Sequence, residues 1–455
     1  MAMVCSDKPK ENFGTFSNYP LVLPKTFKLL RPVLRIKFNF SSIRFQALLM
    51  LLLYLLMEHE YRNFVVPLFQ HLNFTYSFDL MRFITGIIIL LSGMAAIIFL
   101  KPKPFLHAIS VCAMVLLLIP NVILYQYMDT DPAIPLAALL FVVLLSIPLP
   151  EWKRIPRIPV LHQSTSVWIL MIITVALLVP VVIDFGFRMP DLHRLMDSSE
   201  QYEVRRETAH SISLFSHYSL GQLLKALIPS AILLGIALKR YWLTIAGCLV
   251  LAGLFLVYPQ KTTLVMLLPL LLFGLVKDHR RQAGYLLAGL SVAILITMAL
   301  STWWNIMPES LLVRRVFFTP AFITHAYTEY FKETPVFFSH SFMGRFIPYP
   351  FTLEPAFEIS RAYFNSSVMR CNTGFLGDGF LNFGYAGMVV FTVMTAALFQ
   401  LIAQLKLKPL YFGLSFFILY ELSNSSPVTL ILTHGLLLLL LIMTFVLRSR
   451  KEEDV

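Results

Sequence analysis

Long apolar runs alternate with short polar connectors from residue 43 almost to the end of the chain. A run of about 20 apolar residues is long enough to cross the hydrocarbon core of a bilayer as a helix. The pattern therefore predicts an all-α integral membrane protein with about 12 transmembrane helices, several of them short. The predicted helices are 43–57, 78–100, 105–125, 135–149, 168–187, 221–238, 242–258, 262–276, 285–304, 385–405, 410–422 and 428–447.

The polar connectors predict the orientation. Those at 101–104, 151–167, 239–241, 277–284 and 406–409 are rich in Lys and Arg. Positively charged connectors usually stay in the cytoplasm, which would place both termini there as well. The predicted order is a basic cytoplasmic segment 1–42, helices one to nine over 43–304 with an outer loop at 188–220, an outer catalytic segment 305–384, helices ten to twelve over 385–447, and a cytoplasmic tail 448–455.

Composition narrows the class of protein. The chain is 57% hydrophobic and 14% charged, with a mean hydropathy of +0.73, which excludes a set of soluble domains. In a soluble protein, a net charge of +12 would suggest binding to nucleic acid. In a membrane protein, an excess of positive charge usually reflects the topology of the chain. Four scattered Cys indicate neither a disulfide framework nor a metal cluster.

The 80 residues of segment 305–384 lie between two membrane-length runs, and a loop of that length is usually functional. The segment contains five Arg and only one Lys. Membrane topology needs only positive charge, whereas an Arg preference suits forked binding of phosphate or carboxylate. The alternative is that these Arg pair with carboxylates on the same side.

Two motifs open this segment. Arg314 and Arg315 stand beside aromatic residues, an arrangement that can hold a lipid-linked pyrophosphate or simply anchor the chain among lipid headgroups. The run 311–331 is expected to form an interfacial helix despite Pro320. On that helix His325 and Glu329 share a face at i and i+4. Either could deprotonate a sugar hydroxyl, or Glu329 could pair with an Arg.

Other candidates lie elsewhere in the chain. Charges alternate over 202–207 as in an exposed amphipathic helix. The Gly-rich run 371–387, with Asn372 and Asp378, leads into helix ten and could approach an anion or pack tightly in lipid. Within the spans, Glu421 is expected to pair with an Arg, and His434 to be a satisfied core residue.

Taken in order, short segments of the chain resemble the Wzy-type oligosaccharide repeat-unit polymerases, which extend bacterial O-antigens and capsules. The matching pieces are 202–205, Lys261 opening a span, 315–320, 327–331 and 372–378. The chain departs from the pattern where the acidic position is Glu329, and where Arg206 and Arg314 double the expected Arg.

The resemblance implies glycosyl transfer on the outer, periplasmic face of the bacterial cytoplasmic membrane. A glycan on polyprenyl pyrophosphate would be the donor, and a repeat unit on a second polyprenyl pyrophosphate the acceptor. No metal or other cofactor and no nucleic acid is implied, and a chain-length regulator is an expected partner. The implied pyrophosphate ligands are Arg205, Arg206, Arg314, Arg315 and Lys261. The implied catalytic base is Glu329, His325 or Asp378. The implied glycan contacts are Tyr202, Tyr327, Tyr363 and Asn372.

Three alternatives stay open. An O-antigen ligase would share the architecture but transfer to the lipid A core. A transferase that takes a monosaccharide from polyprenyl phosphate would use an acidic pair such as Glu58 and Glu60 on the first outer loop. A flippase for lipid-linked oligosaccharide would place its charges inside the spans, where this chain has few.

Overall fold

The computed structural model describes residues 39–150, 161–186, 211–258, 261–304, 312–366 and 369–448. Within these ranges the chain forms helices and turns, with no strand. The principal helices are α1 (Ile43–Glu60), α2 (Leu80–Leu100), α3 (Pro104–Tyr127), α4 (Ala133–Ser146), α5 (Gln163–Phe185), α6 (Leu214–Ala237), α7 (Tyr241–Val257), α8 (Lys261–Leu275), α9 (His279–Trp304), α10 (Thr319–Tyr330), α11 (Pro355–Phe364), α12 (Phe375–Gln404), α13 (Phe412–Asn424), α14 (Pro427–Leu432) and α15 (Leu436–Leu447).

Six of the described helices are long and apolar enough to cross a membrane: α2, α3, α5, α6, α9 and α12. Shorter apolar helices accompany them, namely α4, α7, α15 and part of α8. The prediction of an all-α membrane protein is thus confirmed at this level. Every predicted span overlaps at least one described helix, and the total of twelve crossings stays a prediction.

Several predicted boundaries were wrong, since α5, α6 and α9 begin at Gln163, Leu214 and His279 rather than at 168, 221 and 285. Helix α12 begins at Phe375 rather than at residue 385, because Gly384 does not end the helix but makes a kink inside it. Its φ of +61° is a conformation open to glycine and rarely to other residues. The last predicted span is divided into α14 and α15 by a turn in which Gly435 has a φ of +81°.

Proline positions explain a recurring irregularity. Turns of π-helix over Tyr61–Val65, Met114–Leu118, Leu223–Leu227 and Arg314–Phe318 each come directly before an X-Pro pair. Proline lacks an N–H, and its ring clashes with the carbonyl four residues earlier. One extra residue in the turn relieves that clash and lets the helix continue. The helix predicted at 311–331 is confirmed from Arg314 to Tyr330 for this reason, but it is not the interfacial helix expected, because Pro320–Thr328 are buried in the protein.

Contacts between helix ends agree with the predicted alternation of direction. Gln46 joins the N-terminal ends of α1, α3 and α9, since its amide donates to the Arg280 carbonyl (2.6 Å) and its Oε1 lies 2.6 Å from His107 Nε2. At opposite helix ends, Arg82 at the start of α2 pairs with Asp129 just after α3 (3.1 Å). Which of these ends faces the cytoplasm stays a prediction.

Helix α3 is the centre of the bundle, because its whole apolar stretch is buried in the protein. Helices α2, α4 and α9 pack around it, and α10 packs on its C-terminal part. Helix α10 also packs against α12. This position puts α10 in the protein interior at the end of the bundle that we call the loop end, defined by residues 312–366 and the helix ends that contact them.

Candidate functional site

Helix α10 is fixed at the loop end by aromatic contacts. The Phe318 ring lies 5.0 Å from that of Tyr61, and the Phe322 ring 5.1 Å from that of Phe74. Both partners belong to the chain that follows α1. Aromatic pairs at these separations add to the free energy gained by burial. These contacts therefore hold α10 at a defined rotation about its axis. That rotation decides which polar side chains of α10 reach the surface.

His325, Glu329 and Tyr363 form one polar cluster. His325 Nε2 lies 3.5 Å from Glu329 Oε2, as expected for residues one turn apart. The Tyr363 hydroxyl, from α11, donates to the same oxygen of Glu329 at 2.9 Å. The Glu329 side chain is 61% exposed, whereas that of His325 is 9% exposed. The structure therefore brings together two of the three predicted bases and one predicted glycan contact.

Burial and nearby carboxylates have opposite effects on the pKa of His325. Burial lowers the pKa of His325, and the carboxylates of Glu329, Asp129 and Asp131 offset that only in part. His325 is consequently neutral at neutral pH. Burial and the hydrogen bond to Glu329 raise the pKa of Tyr363, which keeps its proton. Glu329 is left as an exposed carboxylate with a fixed donor on one oxygen.

Asp129 and Asp131 are functional candidates that sequence reasoning missed. They follow α3, and each has a partner from another element: Arg82 for Asp129 and the Tyr385 hydroxyl for Asp131. A pair of carboxylates two residues apart at the outer end of a predicted span was the available signal. It is a weak one, because charged residues commonly flank spans.

Four of the seven described Arg residues on the side predicted to be outer are paired with carboxylates, two of them in segment 305–384, which supports the alternative explanation for these four. The pairs are Arg62–Glu58 (3.2 Å), Arg82–Asp129 (3.1 Å), Arg361–Glu358 (2.5 Å) and Arg370–Glu354 (2.5 Å). Arg315 and Arg345 are exposed and have no ion pair or hydrogen bond with any described residue. These two are the Arg residues of the described loop end with guanidinium groups open to an anion.

Arg314 and Arg315 are adjacent but differ in environment. Arg314 is 9% exposed, and its guanidinium carbon lies 4.2 Å from the centre of the Phe69 ring. That stacking is a cation–π contact. Arg315 points into the open, since successive residues of a helix face different directions. Of the two, Arg315 is the one that a ligand can reach.

The Gly-rich run of α12 serves helix packing in this structure. A Cβ on Gly379 would lie 2.5 Å from the Gly387 carbonyl oxygen, so the two turns fit together only without side chains. Asp378 is 3% exposed and accepts a hydrogen bond from Ser426 (2.7 Å). Asp378 is therefore enclosed, and no sugar reaches it in this conformation. Sequence reasoning had allowed it as a base.

The other predicted site residues have different surroundings. Tyr327 is 2% exposed and donates to the Cys371 carbonyl (2.9 Å), so its ring is not open to a sugar. Asn372 is exposed. Lys261 begins α8, and its side chain lies outside the described atoms. Tyr202, Arg205 and Arg206 lie outside the described residues.

Two ionisable residues of the predicted spans, and the acidic pair that follows the first span, differ from expectation. Glu421 pairs with Lys225 rather than with an Arg, at 2.5 Å. His434 is not simply a core residue, because its Nδ1 lies 3.0 Å from the same Lys225 ammonium. The first acidic pair does not form one site: Glu60 is fully buried, while Glu58 accepts from Tyr127 and Arg62.

Comparisons of the chain with protein-family models, with curated proteins and with solved structures gave no match.

Proposed function

We propose that the protein is a membrane glycosyltransferase that polymerises oligosaccharide repeat units carried on polyprenyl pyrophosphate. The observation that supports it best is the exposed Glu329 carboxylate, oriented by Tyr363 and lying beside a neutral His325. The reaction takes place on the outer face of the bacterial cytoplasmic membrane, in keeping with the predicted orientation.

In the proposed step, a hydroxyl of the acceptor's terminal sugar attacks the anomeric carbon of the donor glycan. The new bond joins that oxygen to the anomeric carbon, and the bond from the same carbon to the phosphate oxygen breaks. Lipid pyrophosphate leaves with the electron pair. The hydroxyl proton passes to Glu329, whose free oxygen accepts it as a general base. Tyr363 keeps the carboxylate in place.

Arg315 has a different role in this proposal from the one the sequence suggested. It precedes Glu329 by 14 positions along one helical stretch, which is roughly 20 Å at the rise of an α-helix. That separation is too large for one sugar phosphate to contact both groups. It is a length that an oligosaccharide of several sugars covers. Arg315 would thus bind the pyrophosphate at the lipid end of the acceptor, leaving Arg205 and Arg206 for the departing pyrophosphate.

The test of the base is Glu329→Gln in the source organism, read as the ladder of glycan lengths on its lipopolysaccharide or capsule. We expect long chains to disappear while the amount of protein in the membrane is unchanged. Glu333→Gln is the matched control, since Glu333 lies four residues further on, after the end of α10, is exposed and has no partner among the described residues. A normal ladder with Glu329→Gln would overturn the proposed base.

The same ladder separates polymerase from ligase. In a strain that lacks a polymerase, the lipid A core carries a single repeat unit. In a strain that lacks a ligase, the core carries none. The deletion strain is expected to show the single unit, and a bare core would favour the ligase.

Arg315→Lys tests forked binding of pyrophosphate, because it keeps the charge and removes the paired donors. We expect at least a tenfold loss of long chains. Arg345→Lys, at the other exposed Arg without a described partner, should leave the ladder as in the wild type. Long chains at normal abundance in the Arg315→Lys strain would remove the pyrophosphate role from this residue.

A further inference from the structure

A small cavity beside α6, α13 and α15 contains three ionisable side chains in an otherwise apolar lining. Lys225, Glu421 and His434 contribute its polar part, and Phe417, Leu430 and Leu439 are among its apolar walls. Ionisable groups inside membrane helices are costly and usually mark a functional site. None of the three belongs to the cluster around Glu329.

The backbone brings these groups together by specific means. Lys225 lies in the π turn Leu223–Leu227 of α6, and such turns occur often at functional sites. His434 comes from the turn between α14 and α15, which lies directly on α6. A Cβ at Gly221 would be 2.5 Å from the Thr433 carbonyl oxygen, so a glycine is needed for this approach.

The hydrogen bonds leave definite groups available to a ligand. An ammonium can only donate, so His434 Nδ1 must accept from Lys225, and the proton of the neutral ring is on Nε2. Lys225 uses two of its three N–H groups on Glu421 and His434. Glu421 uses Oε2, and its Oε1 has no hydrogen-bond donor among the described residues. One N–H of Lys225, the Nε2–H of His434 and Oε1 of Glu421 thus remain without a hydrogen-bond partner among the described residues.

We propose that this cavity binds a lipid that ends in a phosphate monoester. The singly charged form of that group has P–O oxygens to accept from Lys225 and His434, and one P–OH to donate to Glu421. A phosphodiester has no P–OH, so its charge would face the Glu421 carboxylate without a hydrogen bond to compensate. Glu421 therefore selects for the monoester.

The surroundings select for a lipid. Ile431, Leu432 and Leu437, which flank His434 along the chain, have side chains at least two-fifths exposed. An apolar tail can lie along these side chains, whereas a small water-soluble phosphate would gain nothing from them. Under the proposed function, the lipid pyrophosphate released by transfer ends in an unsubstituted phosphate that carries a P–OH, as the monoester does, whereas both phosphates of the glycan-bearing donor are substituted. The cavity would then receive the leaving lipid. This role rests on the proposed function, whereas the binding of a lipid phosphate to the cavity does not.

The test uses the full-length protein in detergent and two probes with the same tail, farnesyl phosphate and its methyl diester. Native mass spectrometry at a pH of about 5.5 measures the bound fraction, because the second pKa of such phosphates is about 6. We expect the monoester to bind at least tenfold more tightly than the diester. Equal binding of the two probes would overturn the proposal.

Variants locate the binding. Lys225→Met should lower the affinity for the monoester at least tenfold, and Glu421→Gln should reduce the preference for monoester over diester. Lys332→Met removes an exposed Lys with no described partner and should bind as the wild type. Wild-type affinity in Lys225→Met, or an equal loss in Lys332→Met, would contradict the proposed site.

Lys225→Met alone leaves Glu421 buried without its cation and could unfold the protein. The double variant Lys225→Met with Glu421→Leu removes both charges and should keep the fold, measured as the thermal unfolding temperature. It should still fail to bind the monoester, and binding at wild-type affinity would overturn the proposal. Because the assay involves no glycosyl transfer, its failure and the failure of the proposed function are separate results.

Discussion

Two glutamates of the loop end show how environment separates an exposed carboxylate from a structural one. Glu358 is 1% exposed and accepts from the Leu353 N–H (2.8 Å), from Thr352 and from Arg361. Burial raises its pKa, but the hydrogen bonds more than offset this and leave the pKa lowered. Glu358 thereby fastens the turn before α11. Glu329, by contrast, has one tyrosine donor and a side chain that is 61% exposed.

The lowered pKa of His325 predicts a dependence of stability on pH. In the unfolded chain its pKa is near 6.5, and burial places the folded value below that. As the pH falls below about 6.5, the unfolded state binds a proton that the folded state does not, so the free energy of unfolding decreases. Between pH 7 and pH 5 we expect the wild type to lose more thermal stability than His325→Gln. Parallel melting temperatures across that range would contradict the assignment.

At the scale of the element, α12 depends on glycines for two separate reasons. Gly379 and Gly387 allow two backbone segments of α12 to come into close contact. Gly384 instead adopts a backbone conformation that favours glycine, and the space around its Cβ position is open. The first is a matter of packing and the second of dihedral angles. The kink at Gly384 lets one continuous stretch both cover the inner side of α10 and continue as a membrane-length helix.

Gly384→Ala should lower the free energy of unfolding by about 1–3 kcal/mol, the usual cost of placing a side chain in such a conformation. Gly253→Ala is the control, since Gly253 lies within α7, has no positive φ and also has open space around its Cβ position. That change should be neutral or slightly stabilising because alanine favours the helix. Melting temperatures in detergent measure both. Equal effects of the two changes would show that the backbone angle at Gly384 is not what matters.

Local patterns predicted the elements well and the partners poorly. The apolar runs located the helices, and i, i+4 spacing brought His325 to Glu329, because both depend on neighbours in sequence. The start of α12, the Lys225 partner of Glu421 and the carboxylates Asp129 and Asp131 depend on contacts between distant segments. A single sequence contains no spacing rule for such contacts. The excess of Arg over Lys was visible in the sequence. Which of these Arg residues pair with carboxylates and which stay open was not.

At the scale of the whole molecule, the contacts between the ends of α1, α2, α3 and α9 agree with the helix directions predicted from the polar connectors. The loop end collects α10, α11 and the ends of α1, α2 and α3, so any chemistry of the Glu329 cluster takes place on one side of the bundle. The distribution of Lys and Arg predicts that side to be outside the cell membrane.

Single cysteines test this orientation in a variant without the four native Cys. Arg345→Cys should react with a membrane-impermeant maleimide in intact cells, after passage through any outer membrane. Arg281→Cys, whose side chain is 63% exposed at the start of α9, should react only after the inner membrane is broken. The reverse labelling pattern would place the loop end in the cytoplasm.

The pairing of the outer arginines has a consequence for the response to ionic strength. A count of residues suggests a strongly positive surface that would attract anionic lipid carriers from a distance. Four of the described guanidinium groups are neutralised by carboxylates within 4 Å, and the field beyond such a pair falls off quickly. Capture of a charged lipid at the loop end should therefore depend little on added salt, and encounter would rely on diffusion within the plane of the bilayer.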